Sequence, residues 1–135
     1  MLLVLWFLPQ SNCKQEVYTL IDASQLEYKT IVKQQFVLET GHGKSKLCTQ
    51  CNNMFGLVYS NKLATKYKVI RCSSNKKYCK FVSKEQCLLV YTNSVYKKIM
   101  TLYKPRSQCD YYNALVKIKY AINLNYIKDL KKMKL

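Results

Sequence analysis

The residues best suited to chemistry in this sequence are four cysteines in its central part. Cys48 and Cys51 are separated by two residues, and Cys72 and Cys79 form a wider pair that begins twenty residues further on. A C-x-x-C turn can present two thiolates to one metal ion, and a second pair can return on a neighbouring strand. The spacing therefore predicts one structural zinc ion held by these four thiolates, with no open position for chemistry.

The remaining cysteines leave two other interpretations open. The chain has seven cysteines, so a fully paired disulfide framework would leave one thiol over. With zinc in a reducing compartment, Cys13, Cys87 and Cys109 are ordinary thiols or alternative ligands. The four candidate ligands could also be buried free cysteines, although CTQCNN and CSSNKKYC place them beside polar turns. His42 is a spare ligand or, more simply, a turn residue.

The sequence gives little indication of a group of residues that could form a catalytic site. The seven acidic residues are scattered singly and offer neither a carboxylate pair nor an acidic metal-binding triad. The segment from Gly41 to Ser45 mimics the end of a phosphate-binding loop but lacks the earlier glycine, and a strand is expected to follow it. These observations predict that the protein is not an enzyme and has no small-molecule substrate.

The charge balance points to a polyanionic partner. Lys and Arg number 23 against 7 acidic residues, a formal net charge of +16, and only Arg71 and Arg106 are arginine. Such a surface attracts nucleic acid first and anionic membranes second, although an AT-rich coding sequence would give the same composition. The candidate phosphate-binding residues, interleaved with tyrosines, are Lys62, Lys66, Lys68, Arg71, Lys76, Lys77 and Lys80.

Composition and chain breaks divide the sequence into three segments. Residues 1–16 form an apolar N-terminal segment whose MLLVLWFL run is too short to span a bilayer, so no transmembrane segment is expected. That run could be the core of a secretory signal, but no basic residue precedes it. Residues 17–103 form a β-rich module. Pro105 breaks the chain before a basic C-terminal extension, residues 104–135.

The predicted elements are mostly short strands. Alternation, β-branched residues and apolar runs predict strands near 17–21, 45–49, 55–59, 67–72, 78–82 and 87–91. Beyond residue 110, a two-residue period competes with a helical face formed by Leu115, Ile118, Ile122 and Tyr126, and we favour a helix from about Tyr111. The expected fold is mainly β, a small antiparallel zinc-stabilised sheet with a C-terminal helix, and α+β overall.

The central module also resembles a known family. It resembles a FLYWCH-type zinc finger, in which a phenylalanine strand, a glycine–basic–leucine step, an aromatic strand and cysteines follow in this order. The matching positions are Phe36, Gly43, Leu47, Tyr67, Arg71, Cys72, Cys79 and Lys80. Ile70 stands at the family's tryptophan position and no His-x-His closes the module, so the resemblance implies that Cys48 and Cys51 replace those histidines. A weaker resemblance is to the four-cysteine ribbons of type I topoisomerases and large serine recombinases.

Both resemblances imply the same biochemistry. The expected function is a zinc-binding module that binds nucleic acid, duplex DNA above all, in a transposon-derived or chromatin-associated protein. Protein partners are also expected, and the expected location is the nucleus or the cytoplasm. Two alternatives stay open: a secreted, basic, disulfide-linked protein, and a metal-free relic of a finger that contacts only protein.

Overall fold

The fold is built mainly of helices. A computed structural model of the chain describes residues 12–120, 123 and 125–135. The helices are α1 (Cys13–Ala23), α2 (Lys29–Thr40), α3 (Lys46–Cys51), α4 (Asn61–Tyr67), α5 (Lys84–Tyr91), α6 (Lys97–Leu102), α7 (Gln108–Lys117) and α8 (Tyr126–Lys131), with a π-helix (Thr92–Tyr96) joining α5 to α6. The prediction of a mainly β fold is therefore wrong.

Short polar side chains begin most of these helices. A serine caps the first turn of α3, α4, α5 and α7, and an asparagine caps α1. In each case the side-chain oxygen accepts a hydrogen bond from the backbone N–H three residues further on, which satisfies a donor that the helix itself leaves unpaired. The capping residues are Asn12, Ser45, Ser60, Ser83 and Ser107.

Helix α2 lies at the centre of the hydrophobic core. It packs against α1 on one side and against α8 on the other, while α1 also contacts α5. Its buried side chains include Ile31, Val32, Phe36 and Val37, whose spacing places apolar groups around most of the helix. This central position matters because α2 ends at the candidate site, so the surrounding core holds that end of the helix in place.

Among the described residues, the sheet is a single small hairpin. Strands β1 (Ile70–Arg71) and β2 (Cys79–Lys80) pair antiparallel, with Ile70 opposite Lys80 and Arg71 opposite Cys79. An isolated bridge between Val58 and Tyr78 extends the pairing by one step. A disulfide between Cys51 and Cys72 joins the end of α3 to the hairpin.

The failed strand predictions share a physical reason. The runs 17–21 and 87–91 are short and apolar, and periodicity alone does not separate a buried strand from one side of a buried helix. In the structure the first lies in α1 and the second in α5. The predicted strand at 45–49 lies mostly in α3, whose cap, Ser45, was interpreted as the start of a strand.

The C-terminal segment joins the same core as the rest of the chain. Tyr111, Leu115 and Leu130 are fully buried, and Tyr126 is nearly so. The helix predicted from about Tyr111 is present as α7, but it ends at Lys117, and Tyr126 begins the separate helix α8. Residues 1–11, 121, 122 and 124 lie outside the described part. The division into segments 1–16, 17–103 and 104–135 stays a prediction. No helix within the described ranges has the length and apolar character needed to cross a membrane.

Candidate active site

A half-buried carboxyl group, that of Glu39, lies in the last turn of α2. The helix ends at Gly41, whose φ of +56° gives it the left-handed conformation that commonly stops a helix. One turn before Glu39, the side chain of Gln35 is fully buried. Residues four apart share a helix face, so Glu39 and Gln35 point into the same region of the molecule.

Gly56 lies directly against the Glu39 carboxylate. A Cβ atom at Gly56 would come within 2.7 Å of Glu39 Oε2, a distance that real Cβ contacts essentially never show. Gly56 also has a φ of +64°, which an L side chain adopts only with strain. Glycine is therefore favoured here for the backbone conformation, and a side chain at this position would displace the Glu39 carboxylate.

The loop that carries Gly56 is fixed by the fully buried side chain of Asn53. Its Nδ2 donates hydrogen bonds to the carbonyl oxygens of Leu57, at 2.9 Å, and Cys79, at 3.0 Å. Its Oδ1 accepts a hydrogen bond of 2.9 Å from the backbone N–H of Leu57. The Tyr120 hydroxyl donates to the carbonyl oxygen of Phe55 from the opposite side. Both neighbours of Gly56 are thus held, and the glycine is fixed against Glu39.

Tyr126, the first residue of α8, completes the surroundings of the carboxyl group. Its hydroxyl accepts a long hydrogen bond of 3.5 Å from Gln35 Nε2. The same hydroxyl lies close enough to the Glu39 carboxyl to lower its pKa through hydrogen bonding. The rings of Tyr120 and Tyr126 are 5.8 Å apart between centroids. Burial raises the pKa of both phenols, so both hydroxyls stay protonated and available as donors.

A buried hydrogen-bond network holds Gln35 in turn. The Tyr91 hydroxyl donates to Gln35 Oε1, and the hydroxyls of Tyr91 and Tyr111 are 3.1 Å apart. The ring of Tyr91 packs on Phe55, with 4.3 Å between their centroids. Because Gln35 is held at one end, its amide is oriented to donate toward Tyr126, and the network leads from the core to the carboxyl group.

Burial raises the pKa of Glu39 above the usual range of a glutamic acid, and the hydrogen bond from Tyr126 lowers that pKa in part. A carboxyl group whose pKa is raised by desolvation stays protonated at mildly acidic pH and can then donate its proton. Buried carboxyls with this property are the usual proton donors in enzymes that cleave glycosidic bonds. The arrangement is therefore suited to general acid catalysis.

The other carboxylates have different surroundings. All seven acidic residues lie in the described ranges, so their positions can be compared. Asp22 pairs with Lys33 at 2.7 Å, Glu16 with Lys84 at 3.5 Å, and Asp110 accepts from the backbone N–H of Arg106 at 3.0 Å. No carboxylate appears among the causes of the raised pKa of Glu39. The raised pKa of Glu39 therefore comes from burial and not from a neighbouring carboxylate.

The structure separates the four cysteines that the sequence grouped. Cys51 and Cys72 are joined in a disulfide, Cys48 lies beside Cys13 with 2.9 Å between their sulfur atoms, and Cys79 is a buried free thiol. Within the described part of the chain, no group of three or more His, Cys, Asp or Glu residues could hold a metal ion. The zinc-finger interpretation is wrong. A requirement for zinc itself stays a prediction, without a site in that part of the chain.

The residues predicted to bind nucleic acid lie on the surface of the fold. They are all exposed and are distributed over α4, the hairpin and its turn: Lys62, Lys66, Lys68, Arg71, Lys76, Lys77 and Lys80. The Arg71 guanidinium is used within the hairpin, since it stacks 4.1 Å from the Tyr59 ring centroid and donates to the Lys76 carbonyl oxygen at 2.7 Å. Arg71 thus has a structural role in the fold.

Sequence reasoning missed Glu39 because it searched for pairs of carboxylates. The signal that could have found it is local: a helix with apolar residues around most of its circumference has a glutamate in its last turn, followed by Gly41. A charged residue beside such an apolar helix end is partly desolvated. No signal along the chain, however, indicated that Gly56, Tyr120 and Tyr126 would surround it.

A family model described as "Glucosaminidase: Mannosyl-glycoprotein endo-beta-N-acetylglucosaminidase" matches residues 17–134, nearly the whole chain. Neither the curated proteins nor the solved structures contain a match. The family match overturns both zinc-finger resemblances, the assignment as a DNA-binding module and the prediction that the protein is not an enzyme. It also replaces nucleic acid with a carbohydrate as the expected partner.

Proposed function

We propose that this chain, which belongs to the glucosaminidase family, is a glycoside hydrolase that cleaves glycan chains containing N-acetylglucosamine, with peptidoglycan as the substrate class. The observation that carries the proposal is the Glu39 carboxyl, whose pKa is raised by burial at the end of the central helix. A family match alone gives no catalytic residue, and the burial of the Glu39 carboxyl supports our choice of this residue.

In this proposal the protonated Glu39 carboxyl donates its proton to the glycosidic oxygen. The bond between that oxygen and the anomeric carbon then breaks, the leaving sugar departs as an alcohol, and water finally adds to the anomeric carbon. General acid catalysis of this kind contributes about 10²- to 10⁴-fold to the rate. Glu39 is regenerated when it takes a proton back from water.

The surrounding residues position the proton donor. Gly56 lets the carboxylate lie against the backbone, and the Asn53 hydrogen bonds prevent that backbone from moving away. Tyr126 holds the carboxyl group through its hydroxyl and adjusts the pKa downward from the value that burial alone would give. These contacts hold the carboxyl in one orientation before the substrate binds. Such preorganisation is a large part of the rate acceleration by enzymes.

The attacking group is not a second carboxylate held close to Glu39. Retaining glycosidases of the common type place two carboxyls about 5–5.5 Å apart, and one forms a covalent intermediate. No such neighbour contributes to the pKa of Glu39. We therefore assign the attack to water or to a group of the substrate itself, with Glu39 as the protein's proton donor.

Charge and disulfide content support action outside the cytosol. A net charge of +16 attracts the anionic polymers of a cell wall, and the Cys51–Cys72 disulfide is of a kind that persists in oxidising compartments. Glucosaminidases are often secreted, in accord with this location. We propose a secreted protein, in place of the nuclear or cytoplasmic location that the sequence suggested.

Product analysis tests the proposed activity. Purified peptidoglycan is digested with the full-length chain, the products are reduced with borohydride, and the reduced sugar is identified by mass spectrometry. Cleavage after N-acetylglucosamine gives reduced N-acetylglucosamine at the new ends. New ends bearing reduced N-acetylmuramic acid, or no new ends across the pH range 4–8, would contradict the proposal.

A further inference from the structure

We propose that Cys13 and Cys48 form a second disulfide, which cross-links the start of α1 to α3 and encloses α2 and Glu39 in a covalent ring. The sulfur atoms of these two thiols are 2.9 Å apart, although the residues are 35 positions apart in the chain. A disulfide requires about 2.05 Å between its sulfurs, so closure needs a movement of less than 1 Å.

The packing around the two thiols keeps them facing each other. Cys48 is fully buried in the core, and Cys13 is half-buried at the start of α1. Gly43 lies against Cys13, because a Cβ atom there would come 3.4 Å from Cys13 Sγ and 3.0 Å from Phe36. The turn after Glu39 thus packs closely on the Cys13 side chain.

The exposures of the two thiols indicate the order of the chemistry. Cys13 is the accessible thiol, so it reacts first with a small disulfide such as oxidised glutathione, giving a mixed disulfide and one glutathione thiol. The Cys48 thiolate then attacks the Cys13 sulfur and releases the second glutathione thiol. In total, two protein thiols are oxidised and one glutathione disulfide is reduced.

Burial raises the pKa of the Cys48 thiol, and its contact with Cys13 raises the pKa further. Only the thiolate attacks, so the closing step should be slow at neutral pH and should accelerate as the pH rises. The first step also needs a thiolate, that of Cys13, so oxidation as a whole should accelerate as the pH rises.

The cross-link would stabilise the part of the fold that carries Glu39. A disulfide across a segment of this length raises the melting temperature by roughly 5–15 °C in a domain of this size. Together with the Cys51–Cys72 bond, it would tie α3 both to α1 and to the hairpin. Cys79 and Cys87 are buried free thiols, and Cys109 is an exposed one.

Thiol counting and peptide mapping test the proposal in full-length C109S protein, which lacks the exposed thiol. The structure has five free thiols, so this variant has four (five minus one), with the Cys51–Cys72 bond in place. The folded protein is incubated with oxidised and reduced glutathione, unfolded, alkylated and digested without reduction. We expect two alkylated thiols, a peptide pair joined through Cys13 and Cys48, and the higher melting temperature.

The double variant C13S/C109S is the matched control. It retains three free thiols (five minus two), and neither that count nor its melting temperature should change on oxidation. Alkylation of both Cys13 and Cys48 in oxidised, unfolded C109S protein would overturn the proposal. A cross-link that forms without raising the melting temperature would overturn the stabilising role assigned to it.

Discussion

The chemistry of the Glu39 carboxyl depends on two opposing local effects. Burial favours the neutral acid and raises its pKa, while the hydrogen bond from Tyr126 favours the carboxylate and lowers it. The first effect is the larger, so the group holds its proton at a pH where an exposed glutamate has already lost it. The same balance makes separate predictions for the pH dependence of activity and for stability.

Substitution of Tyr126 by phenylalanine should move the pH profile. Without its hydroxyl the carboxylate loses a stabilising hydrogen bond, so the pKa of Glu39 rises further. The proton donor then stays protonated to a higher pH, and the basic limb of the kcat/KM profile should shift upward. A pH series on the same glycan substrate, with Y59F as a control at a tyrosine stacked on Arg71, measures the shift. A basic limb shifted downward would contradict the assignment.

Substitution of Glu39 by glutamine should not destabilise the fold at neutral pH. The folded-state pKa of Glu39 is raised above its usual value of 4.5, so the folded state loses stability as the pH rises from there through the raised pKa. Glutamine does not ionise and removes that loss. The melting temperature of E39Q should therefore equal or exceed that of the wild type at pH 7, and its advantage should shrink toward pH 4.5. The measured quantity is the melting temperature of E39Q minus that of the wild type. A smaller value of this difference at pH 7 than at pH 4.5 would contradict the linkage.

At the scale of elements, the candidate site depends on one loop held against the end of one helix. The Asn53 side chain closes the loop onto itself and onto β2, and Tyr120 fastens it from the C-terminal segment. The packing of α1 and α8 on α2 keeps the end of α2 from moving away from this loop. The distance between Gly56 and Glu39 therefore follows from the packing of these elements.

Substitution of Gly56 by alanine should displace the carboxyl group. The added methyl would lie 2.7 Å from Glu39 Oε2, and the φ of +64° adds backbone strain, so we expect at least a tenfold loss of activity and a stability loss of about 1–3 kcal/mol. G41A is the matched control, since Gly41 has a similar φ of +56° but nothing within 4 Å of the added atom. G41A should lose roughly 1 kcal/mol of stability and keep most of its activity. Equal losses of activity in both variants would contradict the steric argument.

The elements were only partly predictable from the sequence. The serine caps are visible in the chain, and Ser45, Ser60, Ser83 and Ser107 all precede helices. The helices that they begin are short, from six to ten residues, so their periodicity was too brief to outweigh β-branched and aromatic composition. The run Tyr67–Cys72, densest in β-formers, does contain β1, but the strand is only two residues long.

The candidate site was less predictable than the elements. Cysteine spacing is consistent with zinc and with disulfides alike, and only three-dimensional proximity shows that Cys51 pairs with Cys72 while Cys48 lies beside Cys13. A single glutamate acquires its raised pKa from residues distant in the chain. Tertiary packing, which local patterns do not encode, decides both outcomes.

For the whole molecule, the net charge of +16 has a consequence for action on cell walls. Attraction between exposed lysines and an anionic polymer is screened as salt increases, since the Debye length falls from about 10 Å at 0.1 M to about 3 Å at 1 M. Hydrolysis of intact walls should therefore decrease several-fold over this range, while hydrolysis of short, uncharged fragments should change little. Equal salt dependence for both substrates would show that the charge does not contribute to binding the wall.

The central claim is that Glu39 is the proton donor of a glycoside hydrolase. It is tested most directly by the release of new reducing ends from peptidoglycan by three full-length proteins: the wild type, E39Q and E85Q. Glu85 is an exposed carboxylate in the first turn of α5 and serves as the matched control. The account predicts comparable release by wild type and E85Q, and a loss of about 10²- to 10⁴-fold in folded E39Q. Release by folded E39Q at the wild-type rate would contradict it.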